Sequence, residues 1–439
     1  MKETKLLAGF AKVNINPAFD CEMSGFVARK GNCRGVHDPL WVRSLVLSDG
    51  KEKLVIAVAD LIGLVHDTVQ RIRTEVAALT DIPPEHVIVS TIHTHAGPAT
   101  IEHGYLGKPD PDYLNFLVKN IAGSIYAANQ ELEPVVASVG ISECKAVGKN
   151  RRHQGGPTDP AVSVLRLERA EERKILLANY TCHPVVLGPD NLLLSADYPY
   201  YLIKTLEAVY PGSEILFTNG ATGDINVGHN AADSINGSSA SKRTFHEAER
   251  LGRILAGRTV EAVETAEKLP SIDLSFASRK FSLCLETVPD PSGYQILADQ
   301  FAKEYQETSR RGESYGLVRQ AEVWTDWAKA MKQKAENGEL DSKILTEVAA
   351  FRIGNVEFAT LPGEFFHELG LMVKRSRPGK AVFIIGYAND LIGYVGTSIE
   401  YDEGGYEINE SYRYFGMPTK LARGAGERVI DEVKGLLQK

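Results

Sequence analysis

The stretch Val87-Ile88-Val89-Ser90-Thr91-Ile92-His93-Thr94-His95 decides the fold class, because a buried strand runs directly into a polar motif. Strand ends are where α/β enzymes collect catalytic groups. Two histidines two residues apart project to the same side of an extended segment, and neutral imidazole is the commonest zinc ligand. We therefore expect His93 and His95 to face one site, although the motif alone leaves metal binding and a structural role equally open.

The rest of the chain alternates strand-like runs with helix-like patterns, which is typical of an α/β protein. Strand-like runs lie at residues 53–59, 86–90, 161–167, 175–180, 214–217 and 381–385, and helical periodicity lies at 67–79, 112–130, 198–210, 244–266 and 418–437. These segments predict a mixed sheet flanked by helices, with a metal site at strand ends. No internal repeat is visible in the sequence.

Two further strand-like runs are followed by residues of types that commonly bind metals. Residues 175–180 precede His183, and residues 356–361 precede Glu364. A single histidine at a strand end is more often structural, but a second one in an α/β pattern favours a shared metal. Glu364 taken alone is best explained as a first-turn residue that complements a helix dipole. Together with two histidines, it would complete a zinc site with an open position for water.

Two segments between these motifs bear on access to the site. The turn at residues 219–224 ends in Asp224, which either orients a ligand histidine or stabilises the turn. Residues 228–241 are rich in Gly, Ser, Asn and Ala, and this composition predicts a mobile loop.

A long charged stretch at residues 295–337 has helical character and places Trp324 and Trp327 on one helix face. It is either a helical insertion packed on the main domain or a lid over the substrate. We predict one catalytic domain over residues 1–439, with a helical insertion at about 290–340.

The composition excludes several classes of partner. The formal net charge is -8 at pH 7, so a nucleic-acid partner is not expected. No apolar run approaches the roughly 18 residues of a membrane span, and residues 1–17 lack the apolar core of a signal peptide. The five cysteines are scattered and form neither a disulfide framework nor a CxxC metal pattern. We expect a cytoplasmic protein that acts on a small molecule; its oligomeric state is not constrained.

Ten short motifs follow one another in a specific order. They are residues 8–11 (AGFA), 35–40 (GVHDPL), 93–98 (HTHAGP), 150–151 (NR), 181–184 (TCHP), 195–198 (SADY), 219–224 (NGATGD), 362–364 (PGE), 386–389 (GYAN) and 400–401 (EY). In this order they resemble the catalytic domain of the neutral, non-lysosomal ceramidase superfamily, over nearly the whole chain.

The resemblance implies a zinc site made by His93, His183, Glu364 and Tyr401. It also implies that His95 is a non-ligand partner that shuttles protons, and that Arg151 faces the substrate carbonyl. These roles are chemically coherent, since zinc activates water near neutral pH and an arginine can stabilise a developing oxyanion.

The chain departs from the family pattern at three places. Ile225 follows the Gly-Asp turn where the family carries a Ser-Pro pair, and Tyr412 and Tyr414 precede a Gly-Met-Pro element instead of lying in Tyr-Gly-Pro. Either tyrosine is a candidate for substrate binding. The helical pattern at 418–437 ends the chain where secreted ceramidases continue into a β-sandwich, so a membrane lipid is the less favoured substrate.

The sequence therefore predicts a zinc-dependent hydrolase that cleaves a linear amide bond with zinc-activated water. The same site would serve an esterase or lactonase, because both reactions pass through a tetrahedral oxyanion. A non-catalytic small-molecule-binding homologue is the second alternative.

Overall fold

The chain is a mixed α/β protein, as the alternating patterns predict. The computed structural model describes residues 5–18, 20–101, 105–236 and 242–438. Its strands are β1 (Leu7–Asn14), β2 (Gly35–Val36), β3 (Trp41–Ser48), β4 (Lys53–Ala59), β5 (Val87–Thr91), β6 (Glu133–Pro134), β7 (Val136–Glu143), β8 (Lys149–Asn150), β9 (Ala161–Glu168), β10 (Lys174–Tyr180), β11 (Leu193–Leu194), β12 (Glu214–Asn219), β13 (Ile225–Asn226), β14 (Glu267–Lys268), β15 (Leu274–Cys284), β16 (Lys343–Ile353), β17 (Val356–Thr360), β18 (Glu364–Phe365), β19 (Ala381–Ile385) and β20 (Tyr394–Val395). Its α-helices are α1 (His66–Leu79), α2 (Pro111–Gln130), α3 (Tyr198–Val209), α4 (Ala231–Ile235), α5 (Phe245–Glu264), α6 (Pro291–Arg311), α7 (Tyr315–Glu336), α8 (His367–Arg375), α9 (Glu400–Glu403), α10 (Tyr406–Asn409) and α11 (Ala425–Leu437).

Where the sequence predicted one mixed sheet, the described strands form several. Two sheets have five strands, in the orders β5-β4-β3-β1-β6 and β12-β10-β9-β7-β14, and a third has the order β15-β16-β17-β19. Strands β4, β5 and β10 are buried along their whole length or nearly so, because helices or neighbouring sheets cover both faces.

The three larger sheets share one topology, which we describe as three units. Each unit has three consecutive antiparallel strands, a crossover helix, and a fourth strand parallel to the third. The first unit uses β1, β3, β4, α1 and β5. The second uses β7, β9, β10, α3 and β12, and the third uses β15, β16, β17, α8 and β19. A further helix follows each fourth strand: α2, α5 and α11 respectively.

This topology determines where polar residues collect. The first, third and fourth strands of a unit run in the same direction, so the segments that follow them leave at the same end of the sheet. The fourth strands of the three units also meet one another. The amide nitrogen of Gly386 donates to the carbonyl of Asn219 at 2.8 Å, and Ser90 pairs with Ala388. The strand ends of all three units therefore face one central site.

Helix α11 begins later than the periodicity indicates. The pattern predicted a start at residue 418, whereas α11 starts at Ala425. The preceding residues pair with the end of β15 instead: Leu421 lies opposite Leu285, and Ala422 donates to the carbonyl of Cys284. Gly424 then turns the chain into the helix with a left-handed φ of 88°.

Helices α6 and α7 form an antiparallel pair between β15 and β16. Gly312 ends α6 in the left-handed conformation, with φ 67°. Trp324 and Trp327 of α7 are both buried, within an apolar cluster that also contains Tyr414. The guanidinium of Arg413 lies 4.7–5.4 Å from the rings of Phe301, Trp324, Trp327 and Tyr412. This pair of helices is thereby joined to the segment that carries Tyr414.

The segment predicted as a mobile loop at 228–241 contains the short helix α4, whose N-cap Asn230 forms a capping box with Asp233. Residues 237–241 lie outside the described residues.

Among the helices that the structure describes, none combines the length and the apolar character needed to cross a membrane.

Candidate active site

His93 and His183 each follow a strand and present the Nε2 atom of the ring to the centre of the molecule. His93 comes after β5, and its Nδ1 lies 2.6 Å from the carbonyl oxygen of Ile62. His183 comes after β10, and its Nδ1 lies 2.7 Å from the carbonyl oxygen of Thr222. A carbonyl oxygen only accepts, so Nδ1 donates on both rings and each Nε2 keeps a free lone pair.

The two Nε2 atoms converge on the carboxylate of Glu364, which begins β18. Glu364 Oε2 lies 2.9 Å from His183 Nε2 and 3.4 Å from His93 Nε2. All three side chains are buried. The third-strand ends of the second and third units thus supply His183 and Glu364, and the fourth-strand end of the first unit supplies His93.

His95 completes a cluster of three imidazoles. Its Nε2 lies 3.2 Å from His93 Nε2, and the ligand atoms of His93, His95 and His183 all lie within 4.8 Å of one another. The Nδ1 of His95 is buried without a hydrogen-bond partner. Because His93 Nε2 can only accept, a neutral His95 ring donates to it from Nε2 and leaves Nδ1 as an acceptor without a partner.

This donor set fits a divalent metal ion. His93 Nε2 carries a lone pair, and it faces two other acceptors, the Glu364 carboxylate and the Nε2 of a neutral His183. A carboxylate and neutral imidazoles gathered in this way without a proton between them repel one another, and a shared cation removes the repulsion. The cluster could therefore hold a metal ion.

Burial and close contacts shift the pKa values of three groups in the cluster, Glu364, His95 and His183. Burial alone would raise the pKa of Glu364, but His93 and His183 outweigh it and hold that pKa well below its ordinary value. Burial lowers the pKa of His95 well below its ordinary value, and His93 and His183 add to the effect. Burial also lowers the pKa of His183. Metal ligation needs an ionised carboxylate and neutral histidines, which are the states that these shifts favour.

Backbone strain is concentrated beside the cluster. His93, Tyr387 and Asn389 have φ values of 66°, 53° and 66°, in the left-handed region that residues other than glycine seldom occupy. The ring of Tyr387 stacks on His93 with the centroids 4.0 Å apart, and its hydroxyl is hydrogen-bonded to Thr222 Oγ1. Tightly packed surroundings hold these conformations, as is common at functional sites.

Arg151 lies on the other side of Glu364, next to Tyr394. Its side chain is 8% exposed, and its Nε lies 2.9 Å from Glu407 Oε1. The guanidinium is 5.1 Å from the centre of the Tyr394 ring, and Tyr394 lies opposite Glu364 in the β18–β20 pair. Burial raises the pKa of Tyr394 well above its ordinary value, and Arg151 opposes that shift. Tyr394 was not among the residues predicted from sequence.

Tyr401, which the resemblance implies as the fourth ligand, has its hydroxyl engaged elsewhere, and its role as a ligand stays a prediction. It lies on α9, where its hydroxyl donates to the carbonyl of Leu421 at 2.8 Å. The tyrosine beside Glu364 is Tyr394, at the start of β20. The signal that could have identified it is its position in a strand paired in parallel with β18, opposite Glu364 itself.

Asp224 has hydrogen bonds to His367, and the hydrogen bonds of the described residues join its carboxylate to no histidine of the cluster. Its carboxylate accepts from the backbone nitrogen of His367 at 2.7 Å and lies 2.6 Å from His367 Nδ1. Its carbonyl accepts from the backbone nitrogen of Arg151 at 2.9 Å. Asp224 therefore connects the start of α8 to the segment that carries Arg151.

Tyr414 and Tyr412 have different environments. Tyr414 lines two small cavities beside the cluster, of about 50 and 30 Å³, together with His95, Tyr394 and Tyr406. Arg151 lines the larger of the two, and Glu364 lines the smaller. Tyr412 lines neither cavity, and its ring packs against Trp327 at 5.6 Å.

Residues 22–32, which we call the wall loop, cover His95. Two backbone hydrogen bonds join this loop to the segment after His95. The nitrogen of Ser24 donates to the carbonyl of Gly97 at 3.1 Å, and the nitrogen of Ala99 donates to the carbonyl of Glu22 at 2.9 Å. The ring of Phe26 meets His95 edge-on at 5.0 Å, and Arg29 Nη2 donates to the carbonyl of His95 at 2.6 Å. The wall loop also borders an outer cavity of about 250 Å³, whose lining includes the start of α7.

Comparisons with known proteins agree on one family. Residues 7–215 match the family model described as neutral/alkaline non-lysosomal ceramidase, N-terminal. The chain is 22% identical over 462 residues to a neutral ceramidase of Mycobacterium tuberculosis, across 89% of this chain and 71% of the relative. It is 22% identical over 466 residues to a neutral ceramidase of Pseudomonas aeruginosa, across 91% of this chain and 68% of the relative.

Two solved structures share the fold. A crystal structure of the Pseudomonas aeruginosa neutral ceramidase superposes with a TM-score of 0.74 and 18% identity, over 100% of this chain and 75% of the other. A ceramidase complexed with C2 superposes with a TM-score of 0.73 and 17% identity, over 99% and 76%.

Proposed function

Because the chain belongs to the neutral/alkaline non-lysosomal ceramidase superfamily, we propose that it is a zinc-dependent hydrolase of a linear amide bond. The observation that carries this proposal is the convergence of His93, His183 and Glu364, with His95 and Arg151 on either side. Two nitrogen donors and one carboxylate are the set that catalytic zinc sites use, with further positions left for water and substrate.

Each residue then has a distinct role. His93 Nε2, His183 Nε2 and Glu364 Oε2 would hold the zinc, and the Tyr394 hydroxyl is a candidate for the fourth ligand beside Tyr401, which the resemblance implies. Zinc, when bound, acts as a Lewis acid and makes hydroxide available near neutral pH. The Nδ1 atoms of both ligand histidines are already engaged with carbonyl oxygens, which fixes the rings before substrate arrives.

Proton transfer falls to His95 in this scheme. It lies beside the ligands, burial lowers its pKa and keeps the ring neutral, and its Nδ1 has no partner and would be the atom that accepts a proton. Arg151 would donate to the substrate carbonyl oxygen as negative charge develops there. Glu407 holds the guanidinium from the opposite side, so Arg151 is oriented before substrate binds.

The small cavities beside the cluster favour a compact acyl group. Volumes of about 50 and 30 Å³ are far below the roughly 300 Å³ of a typical ligand pocket. We therefore propose a small N-acyl compound as the substrate rather than a long-chain ceramide. The same residues would also hydrolyse an ester, and only an assay separates the two reactions.

The test is a substrate panel on purified, zinc-loaded protein. Short-chain acyl amides, the matched esters and long-chain ceramide are compared by the acid that they release. We expect the short amides to have the highest kcat/KM and zinc removal by a chelator to abolish it. Ceramide turning over fastest would overturn the substrate assignment, and activity that survives complete zinc removal would overturn the mechanism.

A further inference from the structure

The wall loop begins and ends beside a cysteine. Cys21 precedes it and Cys33 follows it. The backbone nitrogen of Cys33 donates to the carbonyl of Cys21 at 2.9 Å, and the two thiols lie close enough to interact electrostatically, while the Cys33 thiol donates to the carbonyl of Gly35 at 3.3 Å. Asn32 Nδ2 also donates to the carbonyl of Asp20 at 3.2 Å. The two segments at the base of the loop therefore run side by side, with the cysteines opposite one another.

This arrangement suits a disulfide. Facing residues that are joined by a backbone hydrogen bond have Cα atoms about 5.5 Å apart, within the range of about 4.4–6.8 Å that a disulfide spans. Both cysteines are free thiols and both are partly exposed, so a soluble oxidant can reach them. Cys144 and Cys182 are buried, and Cys284 is exposed on β15 in another sheet.

We propose that Cys21 and Cys33 are an oxidation site, at which a disulfide closes the wall loop at its base. The oxidant is a low-molecular-weight disulfide such as oxidised glutathione. The thiolate of one cysteine attacks it and releases one glutathione, and the thiolate of the other cysteine then displaces the second glutathione. Two electrons pass from the cysteines to glutathione, and the two protons that the cysteines lose end on the two glutathiones released.

The consequence for the molecule is a restrained wall over His95. Phe26 and Arg29 contact His95 from the wall loop, and the crosslink limits how far they can move away. A crosslink that fits the native loop stabilises the folded chain by restricting the unfolded one. This inference does not depend on the proposed hydrolase activity.

The test uses full-length protein carrying Cys284→Ser, so that the exposed thiol on β15 cannot react. The protein is incubated under native conditions with oxidised glutathione, and intact mass and peptide mapping are recorded. We expect the loss of two hydrogens without a retained glutathione, and a crosslinked peptide pair that contains Cys21 and Cys33. The oxidised protein should also melt at a higher temperature than the reduced protein.

Two matched variants make the outcome decisive. Adding Cys21→Ser or Cys33→Ser to that background leaves one thiol of the pair, so each variant should retain one glutathione as a mixed disulfide. Circular dichroism checks that both variants stay folded. The proposal is overturned if the parent protein keeps one or two glutathiones, if both thiols remain alkylatable after prolonged oxidation, or if the crosslinked protein melts at or below the temperature of the reduced one.

Discussion

Tyr394 lies in β20, opposite Glu364 in the paired strand, whereas Tyr401 lies in α9 and its hydroxyl donates to the carbonyl of Leu421. Tyr394 also lines the smaller cavity together with His93 and Glu364, so we propose that its hydroxyl faces the metal. Tyr394→Phe should therefore weaken zinc binding by about tenfold or more, as the loss of a ligand or of a partner that orients one typically does. Tyr401→Phe removes only the bond to Leu421 and should leave zinc affinity unchanged.

Zinc affinity of both variants is measured by competition with a chelating dye, with circular dichroism to check folding. Equal affinities for the two variants would mean that Tyr394 has no part in metal binding. Weaker binding in Tyr401→Phe alone would restore the ligand set implied by the family resemblance.

Asp390 makes the stability of the chain depend on pH. Burial raises its pKa to about 7, and its Oδ1 accepts from the backbone nitrogens of His66 and Leu391 at 3.0 and 2.8 Å. An aspartate in an unfolded chain has a pKa near 3.9, so between about pH 4 and pH 7 the folded protein holds a proton that the unfolded chain has lost. The free energy of unfolding therefore falls as pH rises through this range, by up to about 4 kcal/mol.

Asp390→Asn keeps the accepting oxygen and removes the charge. We expect this variant to be more stable than the parent at pH 8 and similar to it at pH 4.5, in urea unfolding followed by circular dichroism. Asp299→Asn, at an exposed position on α6, is the control and should leave the free energy of unfolding unchanged at both pH values. A stability difference of the same size at both pH values would contradict the assigned pKa.

Some individual residues of the candidate site could be predicted from the sequence, and others could not. His93, His183 and Glu364 were identifiable because each directly follows a run of apolar residues that only a buried strand explains. Tyr394 was not, because its strand has two residues and the chain around it forms short helices without periodicity. Local pattern gives no information about which tyrosine of such a segment turns inward.

At the scale of elements, α6 and α7 form one wall of the substrate region through Tyr414. The hydroxyl of Tyr414 accepts from Gln320 of α7 at 2.9 Å, and its ring closes both cavities next to the cluster. Behind the ring lies the apolar cluster that holds Trp324. Truncating Tyr414 should extend the cavities toward that cluster.

Tyr414→Ala is therefore expected to shift selectivity toward longer acyl chains, with the ratio of hexanoyl to acetyl amide turnover rising about tenfold. Burial of each methylene group of the acyl chain contributes about 0.8 kcal/mol, so burial of two methylenes is enough for a tenfold change in this ratio. Tyr412→Ala is the matched control, since it removes an equal ring from the same segment without opening a cavity. An identical shift in both variants would mean that loosened packing, not cavity size, sets the selectivity.

Most of the helices and strands that the sequence predicted agree with the structure to within one or two residues because their apolar periodicity is strong, as in α1, α2 and β19. The start of α11 was not. The residues before it have helical periodicity, but pairing with the end of β15 satisfies their backbone groups instead. A tertiary contact of this kind overrides local propensity.

At the scale of the whole molecule, the three units explain why distant motifs form one site. The segment after the first strand carries the wall loop in the first unit, Arg151 in the second, and helices α6 and α7 in the third. The segments after the third and fourth strands carry His183, Glu364 and His93. None of this was visible in the sequence, because the units share a topology without a shared residue pattern.

The central claim is that His93, His183 and Glu364, at the strand ends where the three units meet, hold zinc. Its most direct test is anomalous diffraction at the zinc absorption edge, on crystals of protein purified without chelator. We predict one strong peak about 2.0–2.2 Å from His93 Nε2, His183 Nε2 and a carboxylate oxygen of Glu364. Well-ordered density for these three side chains with no peak between them, or zinc bound only elsewhere on the chain, would contradict the account.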